Sequence, residues 1–241
     1  MSELLVDNRG PVRILTMNRP DKRNALNQAL TQALLDGLRA ADADDSVASI
    51  VLTGAGPAFC AGADLTEFKD LTPENQPLVD RRAELTMTLQ GIFVRLTKPV
   101  VSAVNGAAMG GGAGLALGGD VAVMAATAKL GYPEVKHGIV AAVVMAALVR
   151  NVGRKAAFEL VATGEPIDAA RALALGLVNR VTSPDRVLPE SIELAEKFSR
   201  VERAAMAATK ELFYRAHELP FEQALAAGRD VNKRMRAFRK R

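Results

Sequence analysis

Tryptophan is absent from this 241-residue chain, and tyrosine occurs only twice. A core without large aromatics has to be built mostly from Ala, Val, Leu and Ile. A single cysteine, Cys60, leaves no intramolecular disulfide framework, which suits a reducing compartment. Only two histidines, His137 and His217, accompany it. They stand far apart in sequence, so a metal centre of the usual His/Cys type is not expected. No apolar run reaches membrane-spanning length; the longest, around residues 139–149, is short and Ala-rich. The amino-terminal MSELLVDNRG lacks the apolar stretch of a secretion signal. A cytoplasmic protein with no membrane partner is the expectation. There is no G-x-S-x-G elbow for a serine hydrolase and no G-x-x-x-x-G-K-[ST] phosphate loop. Internal repeats and low-complexity tracts are missing too.

Charge is nearly balanced, with a formal net of +4, too little to imply nucleic acid. The excess gathers at the end, in Lys233, Arg234, Arg236, Arg239, Lys240 and Arg241. A solvated helix end explains such a cluster, because cations favour the negative end of the helix dipole. Phosphate binding is the competing reading. The tail holds one aromatic, Phe238, and no recognised nucleic-acid motif.

Apolar patterning divides the chain. Residues 4–7 and 12–17 read as a hairpin around Asn8-Arg9-Gly10. A helix follows from about Asn27, with Leu30, Leu34, Leu38 and Ala41 at helical spacing. Residues 49–53, 100–104, 121–125 and 129–131 read as strands. Residues 71–77, with two prolines, read as a mobile surface segment, and 83–96 as a helix. Beyond Tyr132 helices dominate, at 154–162, 168–175, 189–200, 201–219 and 221–239, with a short strand at 177–181. The pattern predicts an α/β core over residues 1–180 and a helical part over 181–241.

Two glycine-bearing stretches follow predicted strands: Ala58–Leu65, and Asn105–Gly114 with its triplet Gly110-Gly111-Gly112. Glycine admits positive φ and close approach of a ligand. A loop entering a helix presents unpaired N–H groups at the positive end of its dipole. Two such loops are able to aim two amides at one oxygen, the arrangement that stabilises a thioester enolate. Tight packing of helix on strand is the bland alternative.

Together these residues resemble the crotonase (enoyl-CoA hydratase/isomerase) superfamily over nearly the whole chain. The stretch N-R-P-D-K-R-N-A-L at Asn18–Leu26 is similar to the family's CoA-contacting loop. The stretch F-C-A-G-A-D-L at Phe59–Leu65 is similar to its first oxyanion loop. N-G-x-x-x-G-G-G at Asn105–Gly112 resembles its second, and P-E-V at Pro133–Val135 its catalytic carboxylate loop. G-R-K-A-A-F-E-L-V-A-T-G from Gly153 and A-L-A-L-G-L-V-N-R-V up to Val181 resemble its later segments. The resemblance implies a spiral of ββα units with a helical C-terminal trimerisation region, as a homotrimer or dimer of trimers. It implies an acyl-CoA substrate with no cofactor beyond the CoA carried by that substrate. The amides of Ala63 and Gly111 would form the oxyanion hole, with Glu134 as acid/base. Lys22, Arg23, Ala25, Ala61, Asp64, Leu65 and Gly110 would line the CoA and substrate site.

One departure bears on the chemistry. Hydratases of this family use two glutamates, the first of them two residues past the glycine triplet. That position is Gly114 here. A single carboxylate suffices for a 1,3-proton shift, so an isomerase-like reaction is favoured. Hydration with a surrogate acid from Glu67, Glu84 or His137 is the nearest alternative. Decarboxylation, or acyl-CoA binding without efficient turnover, stays open.

Overall fold

The computed structural model describes residues 2–237. Strands β1 (Leu4–Arg9) and β2 (Val12–Met17) form an antiparallel hairpin, followed by α1 (Gln28–Ala43). The chain then repeats a strand–strand–helix unit: β3 (Ser49–Gly54), β4 (Ala58–Cys60) and α2 (Gln76–Gly91). The next turn is β5 (Val100–Val104), β6 (Ala107–Met109) and α3 (Gly111–Gly118). The third is β7 (Val121–Ala125), β8 (Lys129–Gly131), α4 (Ala142–Asn151) and α5 (Arg154–Thr163). Short elements β9 (Ile167–Asp168), α6 (Ala169–Ala174) and β10 (Arg180–Thr182) lead to α7 (Val187–Ser199), α8 (Arg203–Glu218) and α9 (Phe221–Ala237).

Each repeat gives its first strand to one sheet, ordered β1-β2-β3-β5-β7-β10, and its second to another, ordered β4-β6-β8-β9. Consecutive turns pair in parallel, β3 with β5, β5 with β7, β4 with β6 and β6 with β8. The result is the expected α/β spiral. Strands β3 and β5 are buried throughout, as parallel strands covered on both faces are. Helix α1 starts where the Asn27 side chain accepts from the Leu30 N–H at 2.8 Å. It buries Leu30, Leu34, Leu35, Leu38 and Ala41 against the sheet.

Several boundaries differ from the sequence reading. Helix α2 begins at Gln76 rather than 83, because Pro77 sits in its first turn, where a missing N–H costs nothing. It stops at Gly91, and residues 93–95 form a separate 3-10 turn. The segment 71–77 read as loop thus holds a 3-10 turn and the start of α2. Strands β4, β6 and β9 are only two or three residues long. Their order comes from neighbouring turns of the spiral, not from local pattern. The last strand lies at Arg180–Thr182, although Leu177 and Val178 just before it are buried as expected. Arg239, Lys240 and Arg241 lie outside the described residues.

Helix α7 lies on the large sheet, burying Ile192, Leu194 and Ala195, and Ser49 Oγ donates to the Ala195 carbonyl at 2.9 Å. One buried charge cluster anchors α8. Lys210 Nζ lies 2.7 Å from Asp120 Oδ2 and donates to the Lys98 carbonyl at 3.0 Å. Tyr214 OH donates to Asp120 Oδ1 at 2.7 Å, and Asp120 also accepts from the Val100 N–H. Among the described residues no helix is long and apolar enough to cross a membrane.

Removing one partner of a buried ion pair strands the other charge, at a cost of about 3–5 kcal/mol. Asp120→Ala is therefore expected to lower the urea unfolding free energy by about that much. Arg186→Ala, which removes an exposed pair with Glu193, should change it by less than about 1 kcal/mol.

Candidate active site

The first glycine loop crosses in front of the second. Gly62 has φ +90°, and a Cβ there would stand 2.7 Å from the Met109 carbonyl oxygen, so no other residue fits. Leu26 N–H donates to Gly62 O at 2.7 Å, and Asp64 N–H donates to Leu26 O at 3.1 Å. This parallel bridge brackets Ala63 and turns its N–H away from both bonds. No hydrogen-bond partner of the Ala63 N–H is found among the described residues. Gly111 is the first residue of α3, so its N–H has no intrahelical partner. The two residues are close neighbours: the Ala63 nitrogen is 3.9 Å from where a Gly111 Cβ would stand. Ala63 and Gly111, the residues named for an oxyanion hole, are thus adjacent across the two loops.

Glu134 sits in a 3-10 turn, Pro133–His137, closed by Gly138 in the left-handed region. Its carboxylate rests on Gly110. That residue has φ +52°, and a Cβ there would be 2.6 Å from Glu134 Oε1. Gly110 N–H donates to Gly131 O at 2.8 Å, which fixes the turn to β8, the strand leading into the Glu134 segment. Glu134 Oε2 is buried with no hydrogen-bond partner. Burial pushes this carboxyl above the ordinary glutamate range, opposed in part by a backbone hydrogen bond and by His137. His137 itself is exposed. Tyr132, two residues earlier, is wholly buried with an unpartnered hydroxyl. Burial, with the Glu134 charge behind it, raises its pKa and keeps the phenol protonated.

The segment 19–27 is the scaffold for the first loop. Ala61 N–H donates to Arg23 O at 2.9 Å. Asn24, fully buried, donates from its amide nitrogen to the carbonyls of Ala55 and Ala58 and accepts from Arg19 N–H at 2.9 Å. Sequence reasoning missed this organising role; the only signal was its place inside the CoA-loop motif. Lys22 and Arg23 are exposed, as are Ala61 and Leu65, while Ala25 is buried. Asp64 is buried and committed: it accepts from the Thr66 hydroxyl and N–H and pairs with Arg19 at 2.9 Å. The Thr66 hydrogen bond leads the effects that hold its carboxyl below the usual range. Cys60 is buried, its thiol pushed up to about 12 by burial, and so stays a thiol at neutral pH.

Among the described residues no side chain hydrogen-bonds the Glu134 carboxylate. Glu67 accepts from the Gln28 N–H at 2.9 and 3.1 Å and pairs with Arg82, capping α1. Glu84 is exposed on α2. The space beside Gly114 holds a different group: a Cβ on Gly114 would be 2.3 Å from Gln90 Oε1 and 2.7 Å from Val144 Cγ1. Gln90 Nε2 donates to the Gly111 carbonyl at 3.0 Å. The sequence offered only a faint sign of this residue, a lone amide between the apolar Leu89 and Ile92. Behind Gln90 lies a cavity of about 1020 Å³, reaching Phe93, Leu117, Arg150 and Tyr214.

A side chain at residue 110 has to displace the Glu134 carboxylate and adopt a strained φ. Gly110→Ala is expected to reduce turnover at least tenfold, measured in steady-state kinetics on an acyl-CoA, while far-ultraviolet circular dichroism is retained.

A family model described as enoyl-CoA hydratase/isomerase matches residues 7–240. The 2,3-dehydroadipyl-CoA hydratase of Escherichia coli is 40% identical over 234 residues, spanning 96% of this chain and 89% of that protein. The short-chain-enoyl-CoA hydratase of Clostridium acetobutylicum is 33% identical over 235 residues, 94% and 86% of the two chains. The crystal structure of an enoyl-CoA hydratase from Mycobacterium smegmatis superposes with a TM-score of 0.91 at 36% identity, covering 96% of this chain and 90% of that one. A match across almost the full length, in sequence and in fold, makes this chain a member of the enoyl-CoA hydratase/isomerase family within the crotonase superfamily, an enzyme of CoA thioesters.

Proposed function

We propose that the protein moves a double bond along an acyl-CoA by a 1,3-proton shift, with Glu134 as its single acid and base. The observation that carries this reading is the space beside Gly114: a neutral amide fills it, and Glu134 is left as the one carboxylate resting on the oxyanion turn. Glu134 takes a proton from C2 of a 3-enoyl-CoA. The C2–H electron pair forms the C1–C2 double bond and the carbonyl π pair moves onto the thioester oxygen, where the Ala63 and Gly111 N–H groups hold the dienolate. Collapse of the dienolate forms the C2–C3 double bond, and Glu134 returns the proton at C4. Each oxyanion donor contributes about 3 kcal/mol to such an intermediate. A carboxyl with a raised pKa suits both halves, since it is the stronger base for taking the C2 proton and still returns it at C4. Lys22 and Arg23, exposed beside the first loop, contact the CoA phosphates in this reading. No cofactor beyond CoA is required, and a cytoplasmic setting suits the reduced Cys60. The exposure of Phe213, Phe221 and Leu225 on α8 and α9 supports assembly as a trimer or dimer of trimers.

Hydration of a 2-enoyl-CoA is the second reading, favoured by the names of the relatives. Gain or loss of the conjugated thioester absorbance separates the two. A 3-enoyl-CoA should gain absorbance and a 2-enoyl-CoA should keep it; brisk loss from the 2-enoyl-CoA would make hydration the main activity.

Glu134→Gln should lower the isomerisation rate by roughly 10²–10⁴-fold, the usual scale of a general base. The raised folded pKa means that Glu134 stabilises the fold below the unfolded carboxyl pKa and loses that contribution as pH rises through the folded one. At pH 7 the Gln variant should accordingly melt no lower than the parent. The acid limb of the parent's kcat/KM profile should fall above the ordinary glutamate range, since the base has to be ionised.

A further inference from the structure

Gln90 is half-buried near the end of α2 and reaches across to the first turn of α3. Its Nε2 donates to the Gly111 carbonyl at 3.0 Å. Its Oε1 lies where a side chain at Gly114 would begin. Gly111 supplies one of the two free amides of the site, in a run of three glycines at 110–112 that carries no side chain of its own to hold it. The bond from α2 is the one side-chain hydrogen bond recorded on Gly111 among the described residues. We infer that Gln90 is the positioning residue of the second oxyanion donor, and that it does this work as a neutral group on the turn against which Glu134 rests.

A carboxamide fits both requirements. It donates to a carbonyl, which a carboxylate cannot do. It stays uncharged at every working pH, so the acid–base behaviour of Glu134 is left to burial and His137. With glutamate in its place, a carboxylate would face the Gly111 carbonyl and put a negative charge on the turn against which Glu134 rests, and a like charge nearby raises a carboxyl pKa. The inference rests on the single-base reading of Glu134.

The test uses Gln90→Met and Gln90→Glu in the full-length protein, followed by isomerisation kinetics, pH profiles and melting. Methionine keeps the length and removes the donor. Gln90→Met should lower kcat about tenfold with KM within about twofold and the acid limb unmoved. Gln90→Glu should also lower kcat and shift the acid limb to higher pH. A merely structural role would lower the melting temperature and move neither kcat of the folded enzyme nor the limb. Parent-level kcat in Gln90→Met, or an unmoved acid limb in Gln90→Glu, overturns the inference. Glu134→Gln measured alongside judges the base assignment separately: retained turnover there sinks the single-base reading whatever the Gln90 variants show.

Discussion

Two neighbouring main-chain N–H groups, those of Ala63 and Gly111, are left without hydrogen-bond partners among the described residues. Backbone groups in packed loops normally find partners, so keeping two of them free demands construction on every side. The parallel bridge between Leu26 and Ala63 spends the neighbouring donors and acceptors and leaves the Ala63 N–H over. The start of α3 leaves the Gly111 N–H over for a different reason, because no earlier turn of helix exists to accept from it. Beneath both, Asn24 and Arg19 tie the 19–27 segment to β4 and to Asp64. The loops are thus held by side chains that take no part in the chemistry.

The same constraint sets where the carboxylate stands. Strands β6 and β8 are neighbours in the small sheet, and Gly110 and Glu134 follow closely on them. Absence of a Cβ at residue 110 lets the carboxylate settle against the oxyanion turn. Its burial there raises the pKa, so position and proton affinity have one cause. A base placed beside the donors that stabilise the enolate needs little motion between taking the proton and giving it back.

On the other side of α3, the spiral packs α2 and α4 against Gly114, leaving room for Gln90 and Val144 but not for another side chain at 114. The glycine that breaks the two-glutamate pattern is therefore matched to its neighbours, not a bare deletion. Further out, the Asp120–Lys210–Tyr214 cluster holds α8 to the sheet that carries β5 and β7. The helical end is in this way joined to the strands on which the oxyanion turn is built.

The long elements were legible in the sequence because their apolar spacing is their own: α1 buries its four predicted positions, and β3 and β5 are continuous apolar runs. The two glycine loops and Glu134 were legible as a set of motifs, in order along the chain. Strand β8, three residues long, was read at 129–131, but β4, β6 and β9 were not, since they gain order only from partners on other turns of the spiral. Glu67 illustrates the limit on side chains: its sequence position suited a surrogate acid, and tertiary packing committed it to the end of α1 and to Arg82. The absence of an acid at 114 was readable from one letter. That Gln90, twenty-four residues earlier, fills the gap depended on how α2 crosses α3, because a contact between helices is decided by three-dimensional packing and leaves no period in either strand of sequence.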